Sequence, residues 1–249
     1  MLTDTHCHIL SEKYDNVAEI LKNLKQNNIK RVIINGYNHK TNQEVIKLIE
    51  KHDNVYGAIG VHPADATDNL DEALDFIKKN LNHPKIVAIG EIGLDYHWNP
   101  ETKEKQINCF IKQLELAKEY QKPIIVHNRD SDEDMLKILA NYDLKGIMHC
   151  FGGNYEQAKS FIDLGYKLGI NGILTFKNSE LSKVLKKIDV KNILLETDAP
   201  YITPEPYRKE KNEPKYLNVI AEKVAEIYQI NQLELSEILE ENLYHIFDL

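Results

Sequence analysis

The sequence predicts an α/β fold, a single-domain (β/α)8 TIM barrel, and three observations carry that prediction. Short apolar runs recur eight times, amphipathic segments at helical spacing separate them, and 249 residues is a length that one such barrel routinely occupies. Strands that alternate with helices pair in parallel, because a parallel crossover needs a dozen or so residues and a helix supplies them. A doubly wound open sheet is the alternative arrangement of the same pattern. No repeat, low-complexity tract or Pro/Gly/Ser-rich linker interrupts the chain, so residues 1–249 are expected to form one domain.

The elements follow in order. The first strand candidate, 1–8, ends in Asp4-Thr5-His6-Cys7-His8, where period-two alternation turns both imidazoles to one side and Cys7 to the other. Val17, Ile20, Leu21 and Leu24 then recur at helical spacing before the second run, 31–35. Thr41 to Glu44 reads as a capping box ahead of Val45, Ile46, Leu48 and Ile49. The third run, 55–60, leads to His62 and a proline, and Leu74, Phe76 and Ile77 mark the next helix. The fourth, 86–92, carries Glu91 between Gly90 and Gly93, and Phe110, Ile111, Leu114 and Ala117 follow it. The fifth, 123–127, ends at His127, with Ser131 to Asp134 as a weaker capping box before Met135, Leu136, Ile138 and Leu139. The sixth, 146–149, ends at His149, and Gly165 stops the helix of Phe161, Ile162 and Leu164. After the seventh run, 166–170, the eighth, 193–197, leads to Asp198. The stretch 200–214 holds four of the eight prolines and reads as a functional or mobile loop.

Composition narrows the function classes. The chain is 42% hydrophobic and 28% charged, ordinary for a globular protein. Its 31 basic and 39 acidic residues give a net charge of −8, which excludes general attraction to a polyanion; a nucleic-acid partner has to be held by a local positive site. Three cysteines without a CxxC pair argue against a disulfide framework or a zinc knuckle, and read as apolar fillers in a reducing cytoplasm. Alternation turns Cys150, like Cys7, away from its neighbouring histidine. With no signal-peptide pattern and no apolar run near the ~18 residues of a membrane span, neither secretion nor insertion is expected.

The strand ends carry the chemistry. In a (β/α)8 barrel the C-terminal strand ends share one mouth, so His6, His8, Glu91, His127, His149 and Asp198 are expected around one cavity. Four imidazoles and two carboxylates exceed what one tetrahedral ion uses, whereas two ions bridged by a carboxylate engage all six. Glu91 is the expected bridge, with His6, His8 and Asp198 on one ion and His127 and His149 on the other. Such a cluster keeps a charge of about +2, an attraction for an anionic substrate in an otherwise acidic protein. Mixed nitrogen and oxygen ligation suits Zn, Mn, Mg, Fe or Ni alike. His62 reads as a phosphate contact, a donor behind the metal ligands or the cap of a turn, and Asp95 either as the partner of a ligand histidine's outer nitrogen or as a helix-start or turn aspartate. His39, His52, His83, His97 and His245 read as surface or packing residues. The aromatic residues are scattered, with no stripe suggesting a base-stacking platform.

The motifs together resemble the TatD family of metal-dependent deoxyribonucleases, within the amidohydrolase-like barrel superfamily. The resemblance rests on Asp4-Thr5-His6-Cys7-His8, Gly60-Val61-His62-Pro63, Gly90-Glu91-Ile92-Gly93-Leu94-Asp95, Pro123-Ile124-Ile125-Val126-His127-Asn128-Arg129, His149-Cys150-Phe151, Glu196-Thr197-Asp198-Ala199-Pro200 and Asn212-Glu213-Pro214, which span nearly the whole chain. Leu10, Asn128 and the pair Lys209-Glu210 depart from the family's usual residues.

The resemblance implies a hydrolase with two divalent ions acting on the phosphodiesters of DNA, at ends or in single strands, without a membrane or an obligate protein partner. Glu91 and Asp198 are the expected catalytic groups. Arg208 joins His62 as an expected substrate contact, through a forked bond to phosphate. The rival expectation keeps the metals and changes the substrate to an ester or amide, such as an aminoacyl-RNA or a lactone, since the same hydroxide attacks carbonyls. Related barrels often bridge their ions with a carboxylated lysine; no lysine stands at a strand end here, and Glu91 takes that place.

Overall fold

The computed structural model describes residues 1–67 and 70–249. Among these, eight strands form one parallel sheet in which each pairs with the next in the chain: β1 (Leu2–Cys7), β2 (Ile29–Asn35), β3 (Val55–Ile59), β4 (Ile86–Asp95), β5 (Ile124–Arg129), β6 (Gly146–Met148), β7 (Tyr166–Ile170) and β8 (Ile193–Leu195). Helices α1 (Val17–Lys22), α2 (His39–Lys51), α3 (Asp71–Asn80), α4 (Lys103–Tyr120), α5 (Asp132–Leu139), α6 (Tyr155–Asp163), α7 (Leu181–Leu185), α8 (Leu217–Tyr228) and α9 (Gln232–Phe247) alternate with them. The expected barrel architecture is therefore present. The fourth strand runs three residues beyond the expected 86–92, because Gly93, Leu94 and Asp95 pair with His127, Asn128 and Arg129. That extension brings Asp95 beside His127.

Closure takes place at the seam between β8 and β1. There the His6 carbonyl accepts from the Asp198 amide at 2.9 Å, and the Ala199 carbonyl accepts from the His8 amide at 2.7 Å. Asp4, fully buried, accepts from the Thr197 amide at 2.9 Å and from the Thr197 hydroxyl. Burial pushes the Asp4 carboxyl up to about 7 against these hydrogen bonds. A buried carboxylate that accepts several hydrogen bonds is satisfied as a structural cross-link, and its loss would orphan the Thr197 donors.

Two apolar layers complete the fold. Outside the sheet, strand residues such as Val32, Ile34 and Ile89 pack against helix residues such as Val45, Phe110 and Leu114. Inside it, Ile33, Ala58, Ala88, Ile125, Ile147 and Leu194 meet Leu243, Ile246 and Phe247, so the end of α9 plugs the barrel floor. The alternation of Val32, Ile33 and Ile34 between the two layers is the period-two rule at work. With the floor plugged by apolar groups, the polar strand ends are left to the opposite mouth.

Two helix starts differ from expectation. Thr41 is not the N-cap of α2 but its third residue, in a capping box with Asn38, whose side chain accepts from the Thr41 amide. Glu44 instead accepts from the Ser11 amide and hydroxyl, at 2.6 and 2.9 Å. Ser131 begins α5 without capping it, because its hydroxyl turns back to the Leu94 carbonyl and the Asn128 side chain. Gly165 does follow the end of α6, with φ +90°.

α9 is also fixed to the barrel by charge. Lys30 and Arg31 of β2 both reach Glu240, and the Thr3 hydroxyl donates to its other oxygen at 3.1 Å. Burial alone would raise the Glu240 carboxyl, but Lys30 and Arg31 reverse this and hold it below its usual range. A depressed carboxylate stabilises the fold above its unfolded pKa, and that contribution disappears as pH falls through the folded value. Glu240→Gln is therefore expected to cost about 1 kcal/mol in urea unfolding at pH 7, a figure kept small by partial exposure. Repeated at increasingly acid pH, the same comparison should show the difference between the two proteins shrinking toward zero.

Candidate metal centre

The strand order dictates which side chains meet. β1 and β8 are neighbours across the seam, so His6, His8 and Asp198 converge: His6 Nε2 lies 3.2 Å from His8 Nε2 and 3.5 Å from Asp198 Oδ1. β5 and β6 are neighbours too, and their ends place His127 Nδ1 3.3 Å from His149 Nε2. Glu91, from β4, reaches between the groups. Its Oε2 lies 3.3 Å from His8 Nε2 and 3.6 Å from His6 Nε2, while its Oε1 lies 2.9 Å from His127 Nδ1 and 3.0 Å from His149 Nε2. The six residues expected as ligands thus form one cluster. His62 joins it, with Nε2 3.4 Å from Glu91 Oε1.

Backbone features permit this density. Gly93 has φ +147°, and a Cβ there would fall 1.9 Å from the His127 carbonyl oxygen, so only glycine lets β4 and β5 approach at that level. A Cβ on Gly169 would fall 2.3 Å from Glu196 Oε2; its absence makes the slot into which that carboxylate is buried.

Hydrogen bonding fixes which ring nitrogens face inward. The Asn35 carbonyl, which can only accept, lies 2.8 Å from His8 Nδ1, so the proton sits there and Nε2 presents a lone pair. Asp95 Oδ2 lies 3.0 Å from His127 Nε2 and likewise leaves Nδ1 as a lone pair. On the outer side of His149, Nδ1 lies 3.4 Å from Glu196 Oε1. His62 differs: its Nδ1 accepts from the Ala64 amide at 3.1 Å, so its Nε2 is a donor aimed at Glu91.

Lone pairs of buried imidazoles facing one another and two carboxylates at 2.9–3.8 Å are like against like, unless positive charge stands between them. This donor set fits divalent cations. Among the described residues, three subsets bring ring nitrogens and carboxylate oxygens within 4.8 Å of one another: His6, His8 and Asp198; His62, Glu91 and His127; and His6, His149 and Glu196. The protonation preferences have the same origin. Burial would raise Glu91, but His149 and His62 hold it well below its usual range. Burial would lower His149, but Glu91 and Glu196 hold it well above. Burial pushes Asp198 up to about 7, against the pull of His149 and His8.

The structure corrects the reading of Cys150, shows where Arg208 lies and adds Glu196. Cys150 does not turn away from the site: β6 ends at Met148 and the chain bends at Cys150, φ 52°, so alternation no longer applies and Cys150 lines the cavity. Arg208 is not brought to the cavity wall. Its guanidinium lies 4.0 Å from the Phe176 ring centroid and donates to the Thr203 carbonyl, while Asn212 ties the loop to the Thr197 carbonyl at 2.8 Å. Glu196 is the residue that sequence reasoning passed over. It is fully buried and accepts from the Cys150 amide at 2.7 Å and the Asn171 side chain at 3.2 Å. Its spacing of two from Asp198 is the signal that could have found it. The histidines expected at the surface, His39, His52, His83, His97 and His245, all lie outside the cluster.

A parallel barrel whose strand ends gather buried imidazoles and carboxylates at one mouth is the arrangement of a metal-dependent hydrolase. The chain belongs to the TatD-related DNase family, whose model matches residues 3–248. It is 41% identical over 252 residues to the metal-dependent hydrolase YabD of Bacillus subtilis (strain 168), covering 99% of each chain. It is 36% identical over 207 residues to the 3'-5' ssDNA/RNA exonuclease TatD of Salmonella typhimurium, covering 79% of each. Its fold matches the crystal structure of the TatD homologue YjjV of Escherichia coli k12 with a TM-score of 0.93 and 29% identity, over 100% of this chain and 98% of that one. Among the described residues no helix is long and apolar enough to cross a membrane.

Asp95 holds His127 by its outer nitrogen and itself accepts from the His97 and Trp98 amides at 3.0 and 2.9 Å. Asp95→Asn removes the charge behind His127 while conserving shape. Metal retention, measured by elemental analysis after chelator competition, should weaken roughly 10- to 100-fold with the circular dichroism spectrum unchanged.

Proposed function

We propose that the protein is a divalent-metal-dependent phosphodiesterase that degrades single-stranded nucleic acid from an end, as a TatD-type deoxyribonuclease. The observation that supports it best is the position of Glu91, whose two oxygens face different imidazole pairs. We assign His6, His8 and Asp198 to one divalent ion, His127 and His149 to a second, and Glu91 to both. When bound, such ions polarise a phosphoryl oxygen and lower the pKa of water toward neutrality, which supplies a nucleophile at physiological pH.

The chain's own groups do the rest. Asp198, at the cavity wall, orients the attacking water and accepts its proton through a carboxylate oxygen. With its Nδ1 engaged by the Ala64 amide, His62 has one N–H, at Nε2, which turns from Glu91 to a non-bridging phosphate oxygen when substrate binds. Asp95 and Glu196 hold His127 and His149 in orientation from outside the cluster. His8, Glu91, His127, His149 and Asp198 line a cavity of about 920 Å³ and His6 is buried behind them, which limits the access of bulk water to the cluster and strengthens each polar contact. The single-strand preference is supported by the similarity to the Salmonella exonuclease.

The deciding assay presents end-labelled single strands, with free and blocked ends, beside activated esters. Metal-dependent shortening of the free-ended strands is expected, together with two ions per chain by elemental analysis. Glu91→Ala and Asp198→Asn should each lower the rate on the order of a hundredfold or more. Full activity in both variants, or turnover of the esters with the strands left intact, would refute the reading.

A further inference from the structure

The cavity mouth gathers aromatic side chains and cations that the cluster chemistry does not use. Trp98 lies three residues beyond Asp95, at the end of β4, and is 67% exposed. Its ring is covered on one side by Arg129, whose guanidinium carbon is 5.2 Å from the ring centroid. Tyr201 lies three residues beyond Asp198, after β8, and is 48% exposed. Lys13 Nζ sits 5.6 Å from its centroid and 5.5 Å from that of Tyr37. All five residues line the same cavity as Glu91 and Asp198.

Topology sets their separation. In an eight-stranded barrel with strands in sequence order, the ends of β4 and β8 stand on opposite sides of the mouth. Each aromatic is tethered to an acid in or beside the cluster: the Trp98 amide donates to Asp95 Oδ1 at 2.9 Å, and the Tyr201 amide to the Asp198 carbonyl at 2.8 Å. Exposed rings on a rigid frame are costly in water and suited to stacking, since every base has a π face. The cations beside them match phosphate. Among the described residues Arg129 makes no ion pair, and Lys13 meets Glu12 only at 3.9 Å, while Glu12 is itself 3.0 Å from Lys40. The acids on the same wall are engaged: Asp130 with His97 at 2.8 Å, and Asp132 with the Asn128 and Gln157 side chains at 2.6 Å each.

Resting on the phosphodiesterase reading, we propose that Trp98 with Arg129, and Tyr201 with Lys13, are two nucleotide subsites on opposite rims of the cavity. They take one base and one phosphate each, on either side of the scissile bond. The substrate class follows. Rings on facing walls can stack on bases only after those bases have left each other, so the ligand is a single strand or a frayed end of at least two nucleotides. Neither inorganic phosphate nor a base-free sugar-phosphate chain fills both sites.

Trp98 is the sole tryptophan, so its emission reports on its own subsite. The metal-loaded enzyme is titrated with a short phosphorothioate single strand, with the same chain made abasic on both sides of the target linkage, and with inorganic phosphate. Quenching by the base-bearing strand alone is expected, and unmodified strands should show a KM roughly five- to a hundredfold lower than abasic ones at similar kcat. Trp98→Ala and Tyr201→Ala should each erase most of that discrimination, with Trp98→Phe restoring it. Equal KM for intact and abasic strands in the wild-type enzyme would overturn the subsites while leaving the phosphodiesterase standing. An enzyme that neither binds nor cleaves any strand would overturn both.

Discussion

The constraint on which this structure depends is closure of a parallel sheet at the seam between its first and last strands. Strand twist brings β8 round to β1, but the final registration is made by few contacts: the His6 and Ala199 carbonyls, the Asp198 and His8 amides, and the buried Asp4 carboxylate on Thr197. The groups that close the barrel are neighbours of the groups that would hold a cation. A slip of one residue at the seam would turn His6 and His8 outward, because side chains alternate with period two. Fold and site are therefore one problem in this chain, with Asp4 and Thr197 on the structural side and His6, His8 and Asp198 on the chemical side.

The centre follows an electrostatic rule repeated from strand to strand. Two of the inward lone pairs are set by an acceptor on the far side of the ring, the Asn35 carbonyl behind His8 and Asp95 behind His127, while Glu196 lies 3.4 Å from the outer nitrogen of His149. These partners hold rings in place before any cation arrives, which lowers the entropy lost on binding. Glu91 spans the two imidazole pairs because it rises from β4, across the barrel from the seam. In a chain of net charge −8, divalent cations held at that point, with Arg129 and Lys13 at the rim, would give an anion a local attraction that the surface as a whole lacks.

Much of this was legible in the sequence. The eight apolar runs match the eight strands, and the residues expected at their ends, His6, His8, Glu91, His127, His149 and Asp198, do meet. What was not legible came from loops. Trp98, Tyr201 and Tyr37 are scattered along the chain and show no periodicity, yet the loops after β4, β8 and β2 carry all three to one cavity. Arg208 reads as a phosphate ligand from its charge and its motif; what only the structure shows is that its guanidinium packs on Phe176 and donates to the Thr203 carbonyl. Cys150 escaped the alternation rule because its strand ended two residues earlier. Thr41 resembled an N-cap because a capping box can be read in two frames, and Asn38 occupies the one that forms.

By itself the sequence determined the architecture and the chemical character of the mouth, because both follow from short-range periodicity and from residue type at strand ends. Period-two and period-3.6 patterns are local properties, and a parallel barrel places every strand end on one rim without further information. Tertiary structure alone decided which nitrogen of each ring faces inward, that Glu196 is buried in the slot at Gly169, and which aromatic and cationic side chains stand at the entrance. Those outcomes depend on distances between groups far apart in the chain, set by β4–β5 register, by closure at the β8–β1 seam and by loop paths.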